Sequence, residues 1–132
     1  MSPTAAYGIR KILSCTYEEA LPRVKEALSK QGFGVLTEID VRATLEKKLD
    51  LDFNKYVILG ACNPTMAYQT LQEEIEIGLL LPCNVIVYEN AEKQTVVSAI
   101  DPVKMLEIVE NENLTLNANK VKEMLKKVIS SL

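Results

Sequence analysis

The stretch "VILGACNP", residues 57–64, decides the fold of this chain. It is apolar almost without interruption until Asn63 and Pro64, and a short apolar run bounded by turn residues is typical of a buried strand. Asparagine is a favoured helix N-cap, and proline suits the first helical position because its missing N–H has no partner there. We therefore predict a strand over 56–62 that leads directly into a short helix reaching about residue 74.

Four further strands are predicted around this one, over residues 6–14, 33–41, 84–89 and 94–100. The last two are separated by the turn "NAEK" and form a hairpin. In the strand over 33–41, apolar residues alternate with polar ones. The alternation places one set on the buried face: Phe33, Val35, Ile39 and Val41.

Capping signals mark the helices. Thr16 and Glu19 match the capping-box pattern and predict a first helix, which Pro22 is expected to kink or to start late. Asp40 and Asp101 are expected N-caps of two short helices, the second with proline again at its first position. A last helix carries one apolar stripe, formed by Val121, Met124, Leu125, Val128, Ile129 and Leu132.

This order of elements predicts a single α+β domain over residues 1–132. The helix between the first two strands returns the chain parallel to the first strand, and the later strands most simply form an antiparallel meander. The expected architecture is two-layered and β-α-β4-α-like, with a mostly antiparallel sheet and helices packed on one face.

Composition excludes several classes of function. The chain has no histidine, which removes Ser-His-Asp and Cys-His catalysis and histidine-ligated zinc. Its net charge is −3, and the predicted strands carry few basic residues beyond Arg10 and Lys11, so we expect no nucleic-acid partner. No apolar run reaches the roughly 18–20 residues of a membrane helix. With no secretory signal pattern and irregularly spaced cysteines, we predict a cytoplasmic protein with no membrane partner.

The predicted strand directions group one set of polar and thiol-bearing residues. If the first strand runs upward, the third ends and the fourth begins at the bottom edge of the sheet, whereas Cys15 lies at the top. The candidate ligand-binding residues at the bottom edge are Cys62, Asn63, Cys83, Asn84 and Asp101.

Each of these residues also has a purely structural interpretation. Asn63 and Asp101 are well explained as helix N-caps, and free cysteine often packs as a small apolar side chain. The functional alternative is a thiol pair near two helix N-termini, where thiolates and anions are favoured. Two thiolates and a carboxylate could also hold a metal ion at Cys62 and Cys83, but structural zinc normally takes four ligands, so no metal is expected.

The connection "IGLLLP", residues 77–82, is unusually apolar. Leu79, Leu80 and Leu81 follow one another, and neither helical nor strand periodicity can turn all three inward in a thin domain. A bare apolar patch of this kind is usually covered by a partner, and a two-fold dimer covers it with a second copy. We therefore predict a homodimer that buries at least one of these leucines.

Four blocks, "GFGVLTEIDV", "YVILGACNP", "IGLLLPCNVIVYE" and "VVSAIDP", resemble the family catalogued as domain of unknown function 302, over roughly residues 7–110. The resemblance implies an α+β fold similar in topology to the TATA-binding-protein repeat, usually as a homodimer, and no particular activity. It places these residues among the family's motif positions: Cys62, Asn63, Pro64, Pro82, Cys83, Asn84, Asp101 and Pro102. The topological likeness does not imply DNA binding.

The sequence is therefore interpreted as a homodimeric binding or interaction module rather than an enzyme. Its ligand, a small molecule or a partner protein, is expected at the sheet edge near Cys62 and Cys83, and no residue pattern indicates a particular cofactor. The alternative is a thiol-redox or metal-dependent protein that uses the same two cysteines.

Overall fold

The computed structural model describes residues 6–132. Their strands are β1 (Gly8–Leu13), β2 (Gly34–Asp40), β3 (Tyr56–Cys62), β4 (Cys83–Glu89) and β5 (Thr95–Ile100). The α-helices are α1 (Tyr17–Lys30), α2 (Val41–Leu49), α3 (Pro64–Glu73), α4 (Pro102–Leu106) and α5 (Thr115–Ser130). Two 3₁₀ segments, Ile75–Leu80 and Glu112–Leu114, follow α3 and α4. The predicted α+β fold class is confirmed.

The five strands form one sheet in the order β1-β5-β4-β3-β2, and every neighbouring pair is antiparallel. β1 and β2 therefore run in the same direction but lie at opposite edges, and α1 crosses the sheet to connect them. These are the strand directions predicted from the sequence. Cys62 and Cys83 consequently lie at one end of neighbouring strands, and Cys15 follows β1 at the other end.

One face of the sheet holds the hydrophobic core. Val57, Leu59, Val85 and Val87 are at most 2% exposed and pack against apolar side chains of α1 and α5. Burying such a side chain contributes about 1.5–3 kcal/mol, so this layer stabilises the fold. The helix residues of this core are Tyr17, Ala20, Val24, Ala27, Leu28, Leu125, Val128 and Ile129.

The opposite face, called the open face below, is formed by the alternate residues of the same strands. The pairing Arg10–Ser98, Ser98–Ile86, Ile86–Ile58 and Ile58–Ile39 runs across it from edge to edge. Ile12 and Ile39 at its two edges are 45% and 48% exposed. The structure thus has one sealed face and one face that solvent reaches.

The prediction for Ile39 is wrong, because β2 contains a β-bulge. The register with β3 shifts between Val35 and Thr37, so Val35 pairs with Ala61 on the core face and Ile39 pairs with Ile58 on the open face. A bulge inserts one extra residue and reverses the side-chain phase beyond it. The simple alternation over 33–41 therefore holds only up to the bulge.

The predicted helix starts agree with the structure, apart from the effect of Pro22. Thr16 and Glu19 form both bonds of the capping box, and α1 begins at Tyr17, so of the two effects predicted for Pro22 the late start does not occur. Pro22 is solvent-exposed, where water can satisfy the carbonyl whose backbone partner the proline removes. Among residues 6–132, no helix is both long and apolar enough to cross a membrane.

Candidate functional site

The two Cys-Asn pairs lie at the same end of two neighbouring strands. Cys62 is the last residue of β3 and Cys83 is the first residue of β4. Cys83 pairs with Ala61 in the β3–β4 ladder, one residue from Cys62. The predicted proximity of the two segments is confirmed.

A cavity of about 320 Å³ opens beside them. Its walls come from the ends of β3 and β4, from α3 and the Ile75–Leu80 segment, and from α4 and α5. The lining is almost entirely apolar and includes Ala61, Met66, Ile77, Leu81, Met105 and Val121. An apolar concave site of this kind suits an apolar ligand.

Three of the five predicted site residues line this cavity, namely Cys62, Asn63 and Cys83. Asn84 lies on the open face, because successive strand residues point to opposite sides of a sheet and Cys83 faces the core. Asp101 does not line the cavity. The structure therefore brings the two cysteines and Asn63 together and separates the other two residues from them.

Asn63 fixes one wall of the cavity. Its Oδ1 accepts a hydrogen bond from the Met66 backbone N–H at 3.2 Å, which caps α3 as predicted. Its Nδ2 approaches the sulfur of Met124 at 3.8 Å, and a thioether is a weak acceptor. The helix that Asn63 starts contributes Met66 and Thr70 to the lining, and the Thr70 hydroxyl donates to the Met66 carbonyl at 2.8 Å. The main role of the Asn63 amide is therefore to cap α3.

Asp101 fixes a second wall of the cavity. Its Oδ1 accepts hydrogen bonds from the backbone N–H groups of Val103 at 2.9 Å and Lys104 at 3.4 Å, and so caps α4. Its Oδ2 lies 3.0 Å from Nζ of Lys122 on α5. Because α4 supplies Pro102, Met105 and Leu106 to the cavity, this carboxylate holds the cavity wall in place.

Two opposing effects act on the pKa of Asp101. Burial alone would raise the pKa, since a buried carboxylate loses hydration. The hydrogen bond from Lys122 and those from the two backbone N–H groups outweigh burial and hold the pKa below its usual value. The residue is therefore a charged structural anchor at neutral pH rather than a proton donor.

The two thiols of the cavity are both free. Burial, and to a smaller extent the neighbouring Cys62, raises the pKa of Cys83 to about 11. A thiol with such a pKa stays protonated near neutral pH, and the thiolate is the form that attacks electrophiles and binds metals. Within residues 6–132, no three His, Cys, Asp or Glu side chains are grouped closely enough to hold a metal ion. The environment of Cys83 therefore does not favour redox or metal chemistry there.

The cavity itself was not anticipated from the sequence. Met105, Leu106 and Val121 are apolar side chains of α4 and α5 that line it. However, α4 covers only Pro102–Leu106, and the segment after α3 is a 3₁₀ turn, so the helices close over the sheet end without filling the space beneath. The sequence signal for this cavity is the pair of short helices that follow Asn63-Pro64 and Asp101-Pro102.

Comparison with known proteins identifies a family and a solved structure of closely similar fold. The model of the family described as "Domain of unknown function DUF302" matches residues 9–132. The crystal structure of an uncharacterized conserved protein DUF302 from Bacillus stearothermophilus is similar with a TM-score of 0.89 and 29% sequence identity, over 96% of this chain and 98% of that one. The comparison with curated proteins finds no match.

Proposed function

The chain belongs to the DUF302 family, and we propose that it is a homodimeric binding module that takes an apolar small molecule into the cavity beside Cys62 and Cys83. The observation that carries the proposal is the cavity of about 320 Å³. Engineered apolar cavities of about 150 Å³ stay dry and bind benzene, and natural ligand pockets begin at about 300 Å³. A site of this size and polarity therefore favours an uncharged apolar ligand over water.

Binding is a better fit to this site than catalysis. The chain has no histidine, and the thiol of Cys83 is protonated near neutral pH. Asp101, the only carboxylate among the predicted site residues, is bonded to Lys122 and to the N-terminus of α4. Neither Cys83 nor Asp101 is thus available as a general base or nucleophile.

The proposal is tested with N-phenyl-1-naphthylamine, a neutral dye whose fluorescence rises in apolar surroundings. Ala67 and Ala118 line the cavity, and replacing either by leucine fills part of it. We expect Ala67→Leu and Ala118→Leu each to weaken dye binding by about tenfold or more, equivalent to about 1.4 kcal/mol. Ala43→Leu, on the exposed surface of α2, is the matched control and should bind as the wild type does.

Two results would contradict the proposal. One is a wild-type protein that gives no saturable fluorescence increase. The other is a pair of filled variants that fold normally and bind the dye as tightly as Ala43→Leu does. Two fillings on different helices, α3 and α5, guard against one variant failing for a local reason.

The dimer is proposed to form through the Ile75–Leu80 segment. Its turn directs Ile77 into the core, where it is 1% exposed, and leaves Ile75 and Leu79 79% and 83% exposed. Leu81 is half-buried and lines the cavity. A two-fold axis beside this segment would let the same exposed side chains cover one another.

The oligomeric state is measured by sedimentation equilibrium across micromolar concentrations. Leu79→Asp places a charge in the proposed interface and should yield monomers. Leu116→Asp is the matched control, since Leu116 is 65% exposed on α5 outside this segment. A monomeric wild type, or a dimer that survives Leu79→Asp unchanged, would contradict the proposed interface. The three free thiols are typical of a reducing compartment, and we place the protein in the cytoplasm on that basis.

A further inference from the structure

A second concave region, on the open face, is separated from the apolar cavity by the sheet itself. It has a volume of about 420 Å³ and is formed by strands β1, β5, β4 and β3 together with Tyr7. None of its lining residues is acidic. Its polar members are Arg10, Asn84 and Ser98 and the tyrosines Tyr7, Tyr56 and Tyr88. This region is called the Arg10 groove below.

Arg10 brings a positive charge to the groove. Within residues 6–132, Arg10 forms no ion pair, and the preceding segment 1–5 contains no acidic residue. Its cross-strand neighbour is Ser98, and the next residue across the sheet is Ile86. By contrast, the adjacent Lys11 is bound to the backbone carbonyls of Ser130 and Leu132. The guanidinium thus retains donors arranged for a two-oxygen anion.

The walls of the groove are aromatic. The rings of Tyr56 and Tyr88 stack, with centroids 5.4 Å apart and planes inclined by 17°. Tyr7 lines the same groove, and burial, followed by the smaller effects of Tyr88 and Tyr7, raises the pKa of Tyr56. Flat aromatic walls beside a cation suit a planar ligand body.

The remaining polar side chains of the groove are likewise unpaired within residues 6–132. Asn84, Ser98 and the three tyrosines form no side-chain hydrogen bond within the described part of the chain. An amide, a serine hydroxyl and phenolic hydroxyls can all donate to oxyanions. A cation, neutral donors and aromatic walls therefore converge on one concave surface that holds no negative charge.

We propose that the Arg10 groove binds a small planar anion, a carboxylate or phosphate carried on an aromatic or similarly flat body. Charge complementarity decides this choice of occupant. A second copy seated on the same face across a two-fold axis would offer Arg10 the same acid-free groove. An anionic ligand supplies the missing charge and uses the aromatic walls as well.

The test uses benzoate and phenyl phosphate as probes, with benzamide as the neutral isostere, titrated by calorimetry and by amide chemical shifts. Arg10→Gln removes the groove's charge and should weaken binding of the preferred anion by about tenfold or more, in line with a lost charge-assisted hydrogen-bond pair. Arg23→Gln removes the same charge from an exposed position on α1 that forms no ion pair within residues 6–132, and should leave binding unchanged. The two probes distinguish a carboxylate site from a phosphate site.

Three results would overturn the proposal. The first is that neither anion binds the wild type. The second is that benzamide binds as tightly as benzoate. The third is that Arg23→Gln weakens binding as much as Arg10→Gln does. If sedimentation shows that Arg10→Glu separates a dimer and no anion binds, a second copy covers the face and the proposal also fails. Ala67→Leu, which fills the apolar cavity, should leave anion binding intact, so failure of the cavity proposal and failure of this one are distinguishable.

Discussion

Replacement of Asp101 by alanine should destabilise the protein more than an ordinary lost helix cap. Asp101 is 7% exposed, caps α4 through two backbone N–H groups and bonds Lys122 on α5 at 3.0 Å. Asp40 offers a matched control, because it caps α2 by one bond from Ala43 N–H at 2.9 Å and is exposed. The two variants therefore share a lost cap and differ in the buried ion pair.

The magnitudes follow from the bonds removed. A lost N-cap costs about 1 kcal/mol, which is the whole effect expected for Asp40→Ala. A charged hydrogen bond adds about 1.5 kcal/mol, so Asp101→Ala should cost about 2–3 kcal/mol. Asp101→Asn keeps an equally good cap and loses only the charge facing Lys122, so it should cost about 1 kcal/mol.

The assay is urea unfolding followed by far-UV circular dichroism at pH 7 and at one fixed protein concentration, since a dimer's stability depends on concentration. A double-mutant cycle with Lys122→Met isolates the ion pair and should show coupling of about 1 kcal/mol. Equal costs for Asp101→Ala and Asp40→Ala, together with coupling below about 0.3 kcal/mol, would refute the reasoning. Because α4 walls the cavity, Asp101→Ala should also weaken binding of the naphthylamine dye while Asp40→Ala should not.

The remaining predictions concern pH, packing and thiol reactivity. The pKa of Asp101 is lowered in the folded protein, so the stability that its carboxylate contributes is present above the unfolded pKa of about 3.9 and is lost as pH falls through the folded pKa. Asp101→Ala should therefore reduce the loss of unfolding free energy at acid pH. Gly60→Ala should cost about 1–3 kcal/mol in urea unfolding, because the added Cβ would lie 2.8 Å from Cγ of Pro82; an unchanged midpoint would contradict that packing. Iodoacetamide at pH 8, followed by peptide mass spectrometry, should label Cys62 faster than Cys83, whose thiol is buried with its pKa raised to about 11; equal rates would show that Cys83 is accessible as thiolate.

Local chemistry made much of the fold predictable. The capping box at Thr16 and Glu19 and the N-caps at Asn63 and Asp101 act over three residues or fewer, so the sequence pattern and the structure agree. The strands on either side of the "NAEK" turn likewise pair as a hairpin. Given the order of the strands, chain direction alone places Cys62 and Cys83 at the same end of neighbouring strands.

The site was less predictable, for two different reasons. Strand alternation places Cys83 and Asn84 on opposite faces of the sheet, so the position of Asn84 on the open face could be predicted from the sequence. Lying at the same end of the strands is not enough to bring the two side chains together. The β-bulge near Leu36 could not be predicted from the sequence, because it arises from how β2 pairs with β3 rather than from the residues of β2 alone.

By itself, the sequence determined the order, the ends and the directions of the elements, because capping and periodicity are interactions between near neighbours in the chain. Only the tertiary structure decided that Lys122 neutralises Asp101, that Arg10 forms no ion pair within residues 6–132, and that an apolar cavity remains at the sheet end. Ion pairs between distant residues depend on the relative placement of whole elements. A cavity is the space that elements distant in sequence fail to fill when they pack, and no local pattern of residues encodes that difference.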